Sequence, residues 1–368
     1  MDADVIVVGG GVIGTAIAWR AATAGRDTVL LDPGEAAEKA SEVAAGMLAP
    51  VSESVFGEEN LLALNLRALD RFPSFAEELE AAAGFHVGLR TEGTLNVALD
   101  SGDLAALRRM GEFRRGIGLP AEEVTGRECR RLEPFLASNV AGGLLAKGDL
   151  SVDNRRYTRT LRAAAARAGV RVMTGRATAI DGGTVHTPER TITAATVVAA
   201  PGNGVTRLDG IPGPVRKAIR PVKGQILRVR HPGTIPPVAT RTIRAMVVGR
   251  EAYLVPREDG EIVIGATQEE RADRDITVGA VHDLLGDARA VLPAVSELIL
   301  AETSVGLRPG STDNGPVVGR AGEDLIIAAG HFRNGILLSA VTADAVTALL
   351  DGKDPAPEWA PFTPGRFQ

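Results

Sequence analysis

The chain predicts an α/β protein, α+β overall. A Rossmann-like domain with a parallel sheet is expected to carry a dinucleotide site, joined to a second domain built on a mainly antiparallel sheet. Three observations predict this. The chain opens on a strand, a glycine-rich turn and a helix. The same strand-then-glycine pattern returns twice, near residue 200 and near residue 330. Between and after these units lie β-rich stretches with hairpin turns, and 368 residues suffice for two cores.

The first unit is the sharpest. Val5-Ile6-Val7-Val8 reads as a buried parallel strand. Gly9-x-Gly11-x-x-Gly14 follows, then the helical run from Thr15. In this Rossmann-like fingerprint the first glycine permits the turn and the second admits a pyrophosphate. The third lets helix pack on strand. Val12 and Ile13 fall at the helix start, where unpaired N–H groups and the positive dipole end face an anion. A second strand, Thr28-Val29-Leu30-Leu31, ends at Asp32, placed for a ribose hydroxyl pair.

The stretch Lys39-Ala40-Ser41-Glu42-Val43-Ala44-Ala45-Gly46-Met47-Leu48 is dominated by small residues. It suits either a flat ligand lying on backbone or a crowded packing turn. Residues 58–83 have helical leucine spacing, and Pro73 is expected to start a second helix there. Residues 89–99 read as strands around a turn, and 103–116 and 121–131 as helices. Leu144–Ala146 reads as a short strand. A helix to Ala168 is expected to be capped by Ser151 or Asp153. Residues 170–173 and 174–180, the latter containing Ala177, read as successive strands. Thr196–Ala200 leads to Gly202, where bare backbone can approach a cofactor. Residues 221–229 begin the β-rich part, and 253–257 with 261–267 form a hairpin around Asp259-Gly260. A helix at 277–292 follows, then a final buried strand, 325–330, and the helix 336–350. The tail after Pro355 is expected to be loose. The dinucleotide domain is therefore discontinuous, at 1–85, 140–215 and 305–368, with 86–139 and 216–304 forming the substrate domain.

The last unit decides the cofactor. A strand, a loop with Gly330 and Gly335 and a helix aim another helix N-terminus at something carbonyl-rich. A flavin's pyrimidine end carries such carbonyls and gains negative charge on reduction, so FAD fits better than NAD.

Composition narrows the rest. A net charge of -5 argues against nucleic-acid binding. The arginines from Arg108 to Arg176 read as solvated helix faces. The single cysteine, Cys129, forbids an internal disulfide and reads as an incidental thiol in a reducing compartment. His86, His186, His231, His282 and His331 show no metal-ligand spacing, so no metal is expected. The acidic start, the glycine-broken apolar run and the lack of a bilayer-length segment predict a soluble, cytoplasmic protein with no membrane contact.

Several motifs occur together: Gly9-Gly10-Gly11-Val12-Ile13-Gly14, Ala44-Ala45-Gly46-Met47-Leu48, Pro221-Val222-Lys223-Gly224, Tyr253-x-Val255-Pro256-Arg257, Gly265-Ala266-Thr267, Gly306-Leu307-Arg308-Pro309-Gly310 and Gly330-His331-Phe332-Arg333-Asn334-Gly335-Ile336-Leu337-Leu338. Together they resemble the glycine oxidase branch of the D-amino acid oxidase family of flavoproteins, over nearly the whole chain. The resemblance implies noncovalent FAD in a fold of the two-dinucleotide-binding-motif type, and a homotetramer. It also implies oxidation of glycine and small amines or amino acids, such as sarcosine or D-alanine, to an imine. The imine hydrolyses to glyoxylate or another 2-oxo acid, and O2 returns the flavin to its oxidised state with release of hydrogen peroxide. In this branch the glycine imine serves thiazole formation in thiamine biosynthesis, which implies a thiazole-synthesis partner.

Carried over position by position, Arg308 clamps the substrate carboxylate, with a fork suited to two parallel bonds. Tyr253 adds a hydroxyl, and Arg333 lies by flavin and substrate. Gly9, Gly11, Val12, Ile13, Gly14, Asp32, Ser41, Ala45, Gly46, Met47, Ala177, Gly202, Arg333, Asn334, Gly335, Ile336 and Leu337 hold the cofactor. On residue grounds alone Arg308 would also suit a domain-bridging ion pair, Tyr253 a core, and His331 a loop-shaping role. Hydride transfer to flavin N5 needs no acid or base, so no catalytic residue of that kind is assigned. The chain departs from the family pattern in three places. Arg250-Glu251-Ala252 lacks a histidine, Gln268 stands where a methionine is expected, and the segment around Ser41, Glu42 and Val43 is unusually acidic. These bear on substrate range. Competing readings are a D-amino acid or sarcosine oxidase, a dehydrogenase that passes electrons to a quinone, and a non-catalytic flavin-binding protein.

Overall fold

The computed structural model describes residues 1–34, 40–247 and 249–367; Lys39 of the small-residue stretch lies outside them. The strand Ala3–Val8 sits at the centre of the first sheet, which is 8-stranded. It pairs in parallel with Thr28–Asp32 on one side and Thr191–Ala199 on the other. Arg171–Thr174 extends the sheet beyond Thr28–Asp32, and Leu325–Ala329 extends it beyond Thr191–Ala199, both in parallel. Strands covered on both faces need no polar alternation, and Val5 to Val8 are all buried. The helices Val12–Thr23 and Gly335–Leu350 pack against one face and are buried nearly all round. Glu59–Ala83 and Asn154–Arg167 cover them, and Trp19 meets Phe75 edge to face at 5.2 Å.

The second sheet, also 8-stranded, runs in the order Ile299–Ser311, Ile219–Arg230, Ile262–Gly265, Arg250–Pro256, Thr242–Val247, Thr94–Ala98, Gly142–Ala146 and Glu122–Thr125. Only Thr242–Val247 beside Thr94–Ala98 is parallel. The helix Val278–Val291 packs on its outer face, and the inner face looks toward the first sheet's glycine loops. The architecture is thus the α/β type, with one mixed parallel sheet and one mainly antiparallel sheet.

The structure differs from the sequence expectations at five points. Glu59–Ala83 runs through Pro73 as one helix. The lost N–H bond there is outweighed by burial of Phe72, Phe75, Ala76 and Leu79 along one face. Residues 174–180 are not one strand; they leave the sheet after Thr174 and rejoin at Ala179–Asp181. Residues 121–131 split into a strand, Glu122–Thr125, and a helix, Gly126–Leu132, because Thr125 and Glu128 form a capping box at the junction. Gly142–Ala146 pairs with the second sheet, so the chain returns to the first domain after Ala146 and not near 140. The cap of the following helix agrees with expectation: of the two residues named, Asp153 serves, accepting from Arg155 and Arg156 N–H at 3.0 and 2.9 Å.

The tail is the clearest difference. Its short helical turns Pro357–Phe362 and Pro364–Phe367 fold back, burying Trp359 to 1% exposure and Phe362 to 5%. Arg366 pairs with Asp313 at 2.8 Å. Two aromatic side chains are reason enough for a short polar tail to dock. Trp359→Ala is accordingly expected to lower unfolding free energy by about 3–5 kcal/mol in denaturant titration, whereas an exposed-tail substitution such as Lys353→Ala is expected to leave it unchanged.

Candidate active site

One large cavity of about 760 Å3 opens between the two sheets. Its first-domain wall is made by Gly9, Gly11, Val12, Ile13, Asp32, Ser41, Ala45, Gly46, Met47, Ala177 and Gly202, and by Arg333, Gly335 and Ile336. Gly14, Asn334 and Leu337 do not line it. Gly14 sits under the turn, where a Cβ would overlap the Gly9 carbonyl, and Leu337 is buried at 2% exposure in the helix core. The Val12–Thr23 and Gly335–Leu350 helices both begin without a side-chain cap from their own N-cap residue. Ser41 Oγ accepts from Val12 N–H at 3.2 Å, tying the small-residue stretch to the first helix.

These residues fit an FAD. Gly9 adopts φ +109, and a Cβ there would meet the Ala200 carbonyl. Gly11 lines the cavity, and a Cβ there would meet only Ser41 Oγ at 3.8 Å, so its backbone is open to a dinucleotide. Asn203, on the cavity wall, spends its amide on the Leu307 carbonyl at 2.7 Å, while its buried Oδ1 has no partner among the described residues. Glu42, noted for its charge, turns away and pairs with Arg162 at 2.9 Å.

The second-domain wall carries the polar chemistry. Arg308 on Ile299–Ser311 and Tyr253 on Arg250–Pro256 are separated by two strands, Ile219–Arg230 and Ile262–Gly265. Those strands present Gly224 and Gly265 under the two side chains. A Cβ on Gly224 would overlap the Arg308 guanidinium, and one on Gly265 the Tyr253 ring and hydroxyl. The two glycines thus clear a floor on which the Arg308 guanidinium and the Tyr253 ring and hydroxyl lie. Burial raises the Tyr253 phenol, with the Arg308 charge acting in opposition, so its proton stays available for donation. Among the described residues no carboxylate pairs with Arg308; Nη1 donates to the Thr267 carbonyl at 3.2 Å. That removes the domain-bridging ion pair as its role and leaves a cation ready for an anion.

Arg333 pairs with Glu58 at 3.4 Å and lines the cavity. His331 is buried, its Nε2 3.0 Å from the Thr342 hydroxyl. Burial pushes its imidazole down to about 3, so it is neutral at working pH and shapes the loop. Gln268 lines the cavity, as does Glu251. Cys129 is buried away from it, its thiol pushed up to about 11 by burial.

Sequence reasoning missed four residues. Arg244 sits opposite Tyr253 in register and pairs with Glu53 at 2.6 Å, and both line the cavity. Alternation along Thr242–Val247 could have placed Arg244 on the inner face, but nothing local pointed to Glu53. Arg114, expected in solvent, is buried and donates to Ser54 Oγ at 3.0 Å and the Ser52 carbonyl at 2.7 Å. Arg257 is buried too, bonding the Ala45 and Val152 carbonyls.

A protein in which a glycine-turn dinucleotide wall on one large sheet faces a wall carrying Arg308 and Tyr253 on another has the architecture of a flavin-type oxidoreductase. Residues 4–349 match the DAO family, the FAD-dependent oxidoreductases, and the chain belongs to that family. It is therefore an enzyme with FAD as its cofactor. It is similar to the glycine oxidase of Geobacillus kaustophilus, 35% identical over 98% of this chain and 96% of the relative. The crystal structure of a Geobacillus kaustophilus glycine oxidase superposes with a TM-score of 0.89 at 33% identity, covering 98% of each chain. A bifunctional ThiO/ThiG protein of Synechocystis is 32% identical over 99% of this chain, which spans 54% of that relative. Among the described residues no helix is long and apolar enough to cross a membrane.

Two outcomes test this geometry. Gly224→Ala, which must displace the guanidinium, is expected to cost about 100-fold in kcat/KM with the flavin still bound, read from steady-state rates and the visible spectrum. His331 binds no proton when folded until about pH 3, against 6.5 for the free side chain. Its contribution to stability is therefore complete above pH 6.5 and lost as pH falls from there toward 3, by about 1.4 kcal/mol per unit. His331→Asn is expected to flatten that part of a stability–pH curve and to leave the neutral-to-alkaline activity profile unchanged.

Proposed function

We propose that this enzyme oxidises glycine, and other small amines or amino acids such as sarcosine and D-alanine, in an oxidase reaction of the glycine oxidase type. The overall chemistry is glycine + O2 + H2O giving glyoxylate + NH3 + H2O2. The observation that carries the reading is the Arg308–Tyr253 pair laid across Gly224 and Gly265, in the same cavity as the dinucleotide wall.

When bound, FAD would supply a hydride acceptor and the means of returning two electrons to O2 as hydrogen peroxide. The protein's part is placement. Arg308 would take the substrate carboxylate through its free N–H groups, and Tyr253 would donate its hydroxyl proton to the same group. Arg333 would lie near them. The N-terminus of Gly335–Leu350, with Gly335 and Ile336, would face the pyrimidine end, and Gly9, Gly11 and the Val12–Thr23 N-terminus the pyrophosphate. The substrate amine must enter neutral, and the α-hydrogen leaves as hydride, so no residue has to abstract it. The neutral, hydrogen-bonded His331 agrees with that economy. Hydrolysis of the imine follows in water. The similarity to a fused ThiO/ThiG protein supports delivery of glycine imine to a thiazole-forming partner.

A second reading has one observation behind it. Gln268 places an amide in the cavity wall where the family pattern has a methionine, which would change the side chain or N-alkyl group accepted and so bring a D-amino acid or sarcosine within range.

Anaerobic mixing of the yellow protein with glycine, sarcosine, D-alanine and D-proline separates these readings. Bleaching by glycine, with peroxide on admission of air, is expected. Bleaching only by D-alanine or D-proline moves the substrate to D-amino acids. Bleaching without peroxide marks a dehydrogenase, and no bleaching by any of them in flavin-loaded protein sinks amine oxidation. Arg308→Ala removes the charge-assisted bonds, worth about 3 kcal/mol, and is expected to lower glycine kcat/KM by roughly 100-fold or more.

A further inference from the structure

Arg308 can clamp a carboxylate only if its guanidinium is held in one orientation, and the contact that holds it lies on backbone. Nη1 donates to the Thr267 carbonyl at 3.2 Å, in the segment that follows the Ile262–Gly265 strand and lines the cavity as Ala266, Thr267 and Gln268. That carbonyl is free because of a substitution in the sheet's own bonding. The Gln225 N–H, on the neighbouring strand, is satisfied by Thr267 Oγ1 at 2.9 Å. The hydroxyl in turn donates its single proton to Glu269 Oε1 at 2.7 Å.

Glu269 is the centre of a brace on the side of the strand away from the cavity. Its Oε1 also accepts from Gln225 Nε2 at 2.8 Å. Its backbone pairs with Lys223 in both directions, at 2.8 and 3.0 Å. Gln225 Oε1 accepts from Thr277 N–H at 2.8 Å, and Thr277 caps the helix Val278–Val291. Lys223, fully buried, sends its Nζ to Asp273 at 2.5 Å. Lys223 and Gln225 flank Gly224, the residue beneath Arg308. Alternation along the strand therefore puts the bare floor on one face and its fastening on the other.

We propose that Glu269 and Thr267 are positioning residues for the carboxylate clamp. Glu269 orients the Thr267 hydroxyl, the hydroxyl takes the place of a ladder carbonyl, and the released Thr267 carbonyl holds Arg308 for the substrate. The inference rests on the proposed role of Arg308. Neither residue touches the dinucleotide wall, so loosening the brace should weaken carboxylate binding and spare the flavin.

The test uses flavin-loaded protein carrying Thr267→Val, Thr267→Ser or Glu269→Gln. Glycine KM and kcat are measured together with the Kd of acetate, a carboxylate that cannot react, titrated by its perturbation of the flavin spectrum. Thr267→Val and Glu269→Gln are expected to raise KM and the acetate Kd in parallel, by 5-fold or more, with kcat within 3-fold of the parent. Thr267→Ser, which keeps the hydroxyl, should return both to the parental value. Unchanged KM and acetate Kd in both Thr267→Val and Glu269→Gln overturn the inference, as does a loss confined to kcat or to flavin affinity. If Thr267→Val does not fold, Glu269→Gln with Thr267→Ser decides. A parent protein that neither binds acetate nor oxidises any amine would instead overturn the role of Arg308 itself, which keeps the two failures distinct.

Discussion

The site depends on one buried guanidinium that serves neither substrate nor cofactor. Arg257, 4% exposed, donates to the Val152 carbonyl at 3.0 Å, the Ala45 carbonyl at 2.5 Å and Asn154 Oδ1 at 3.2 Å. Burial lowers its pKa to about 10, still far above neutrality, so the charge persists in the interior. A buried cation is costly unless its donors are met. Nη1 and Nη2 are met because the second sheet docks against the small-residue stretch and the start of the Asn154–Arg167 helix, while the buried Nε has no partner among the described residues. Asn154 joins the same junction, donating to the Ser41 carbonyl at 2.8 Å and accepting from Arg228, itself paired with Glu261. The cavity is the space left between two sheets fastened at this point.

The division of labour across the cavity follows. The first sheet contributes backbone: glycines without side chains and two helix N-termini that await anionic or carbonyl-rich groups. The second contributes side chains, laid flat over the glycines of a strongly paired sheet. Arginine and tyrosine are long, and each loses rotamer freedom when placed. Seating them on Gly224 and Gly265 confines them sterically, so little reorganisation is left for the moment of binding. In the proposed reaction the protein's contribution would then be largely geometric, which agrees with a buried, neutral His331 and a buried Cys129.

Charge at the far side of Tyr253 is balanced differently. Arg244 is matched by Glu53, and Arg333 by Glu58, both carboxylates from the segment 49–58. That segment is clasped by Asp149, which accepts from the Val51 and Ser52 N–H groups at 3.1 Å each, and by Arg114. Arg308, by contrast, has no acidic partner among the described residues. Under the proposed function it is the arginine that would take an incoming carboxylate.

Some of this was legible in the residue order. Local rules determined the first fingerprint, the parallel strand pairings it implies, Asp32, Gly202 and the glycine-flanked start of the last helix, because each depends on neighbours a few positions apart. The motif around Arg308 and the tyrosine before Val255-Pro256 marked the proposed clamp through resemblance. Only the tertiary structure decided that Pro73 stays within a helix, that Trp359 draws the tail into the core, and that Gly142–Ala146 joins the second sheet. It alone showed that Gly224 and Gly265 form the floor, that Glu53 meets Arg244 and that Arg257 fastens the sheets. The reason is physical. Turn chemistry, capping and strand periodicity act over a few residues, whereas burial and the pairing of buried charges are settled by groups far apart in the chain, once two surfaces have met.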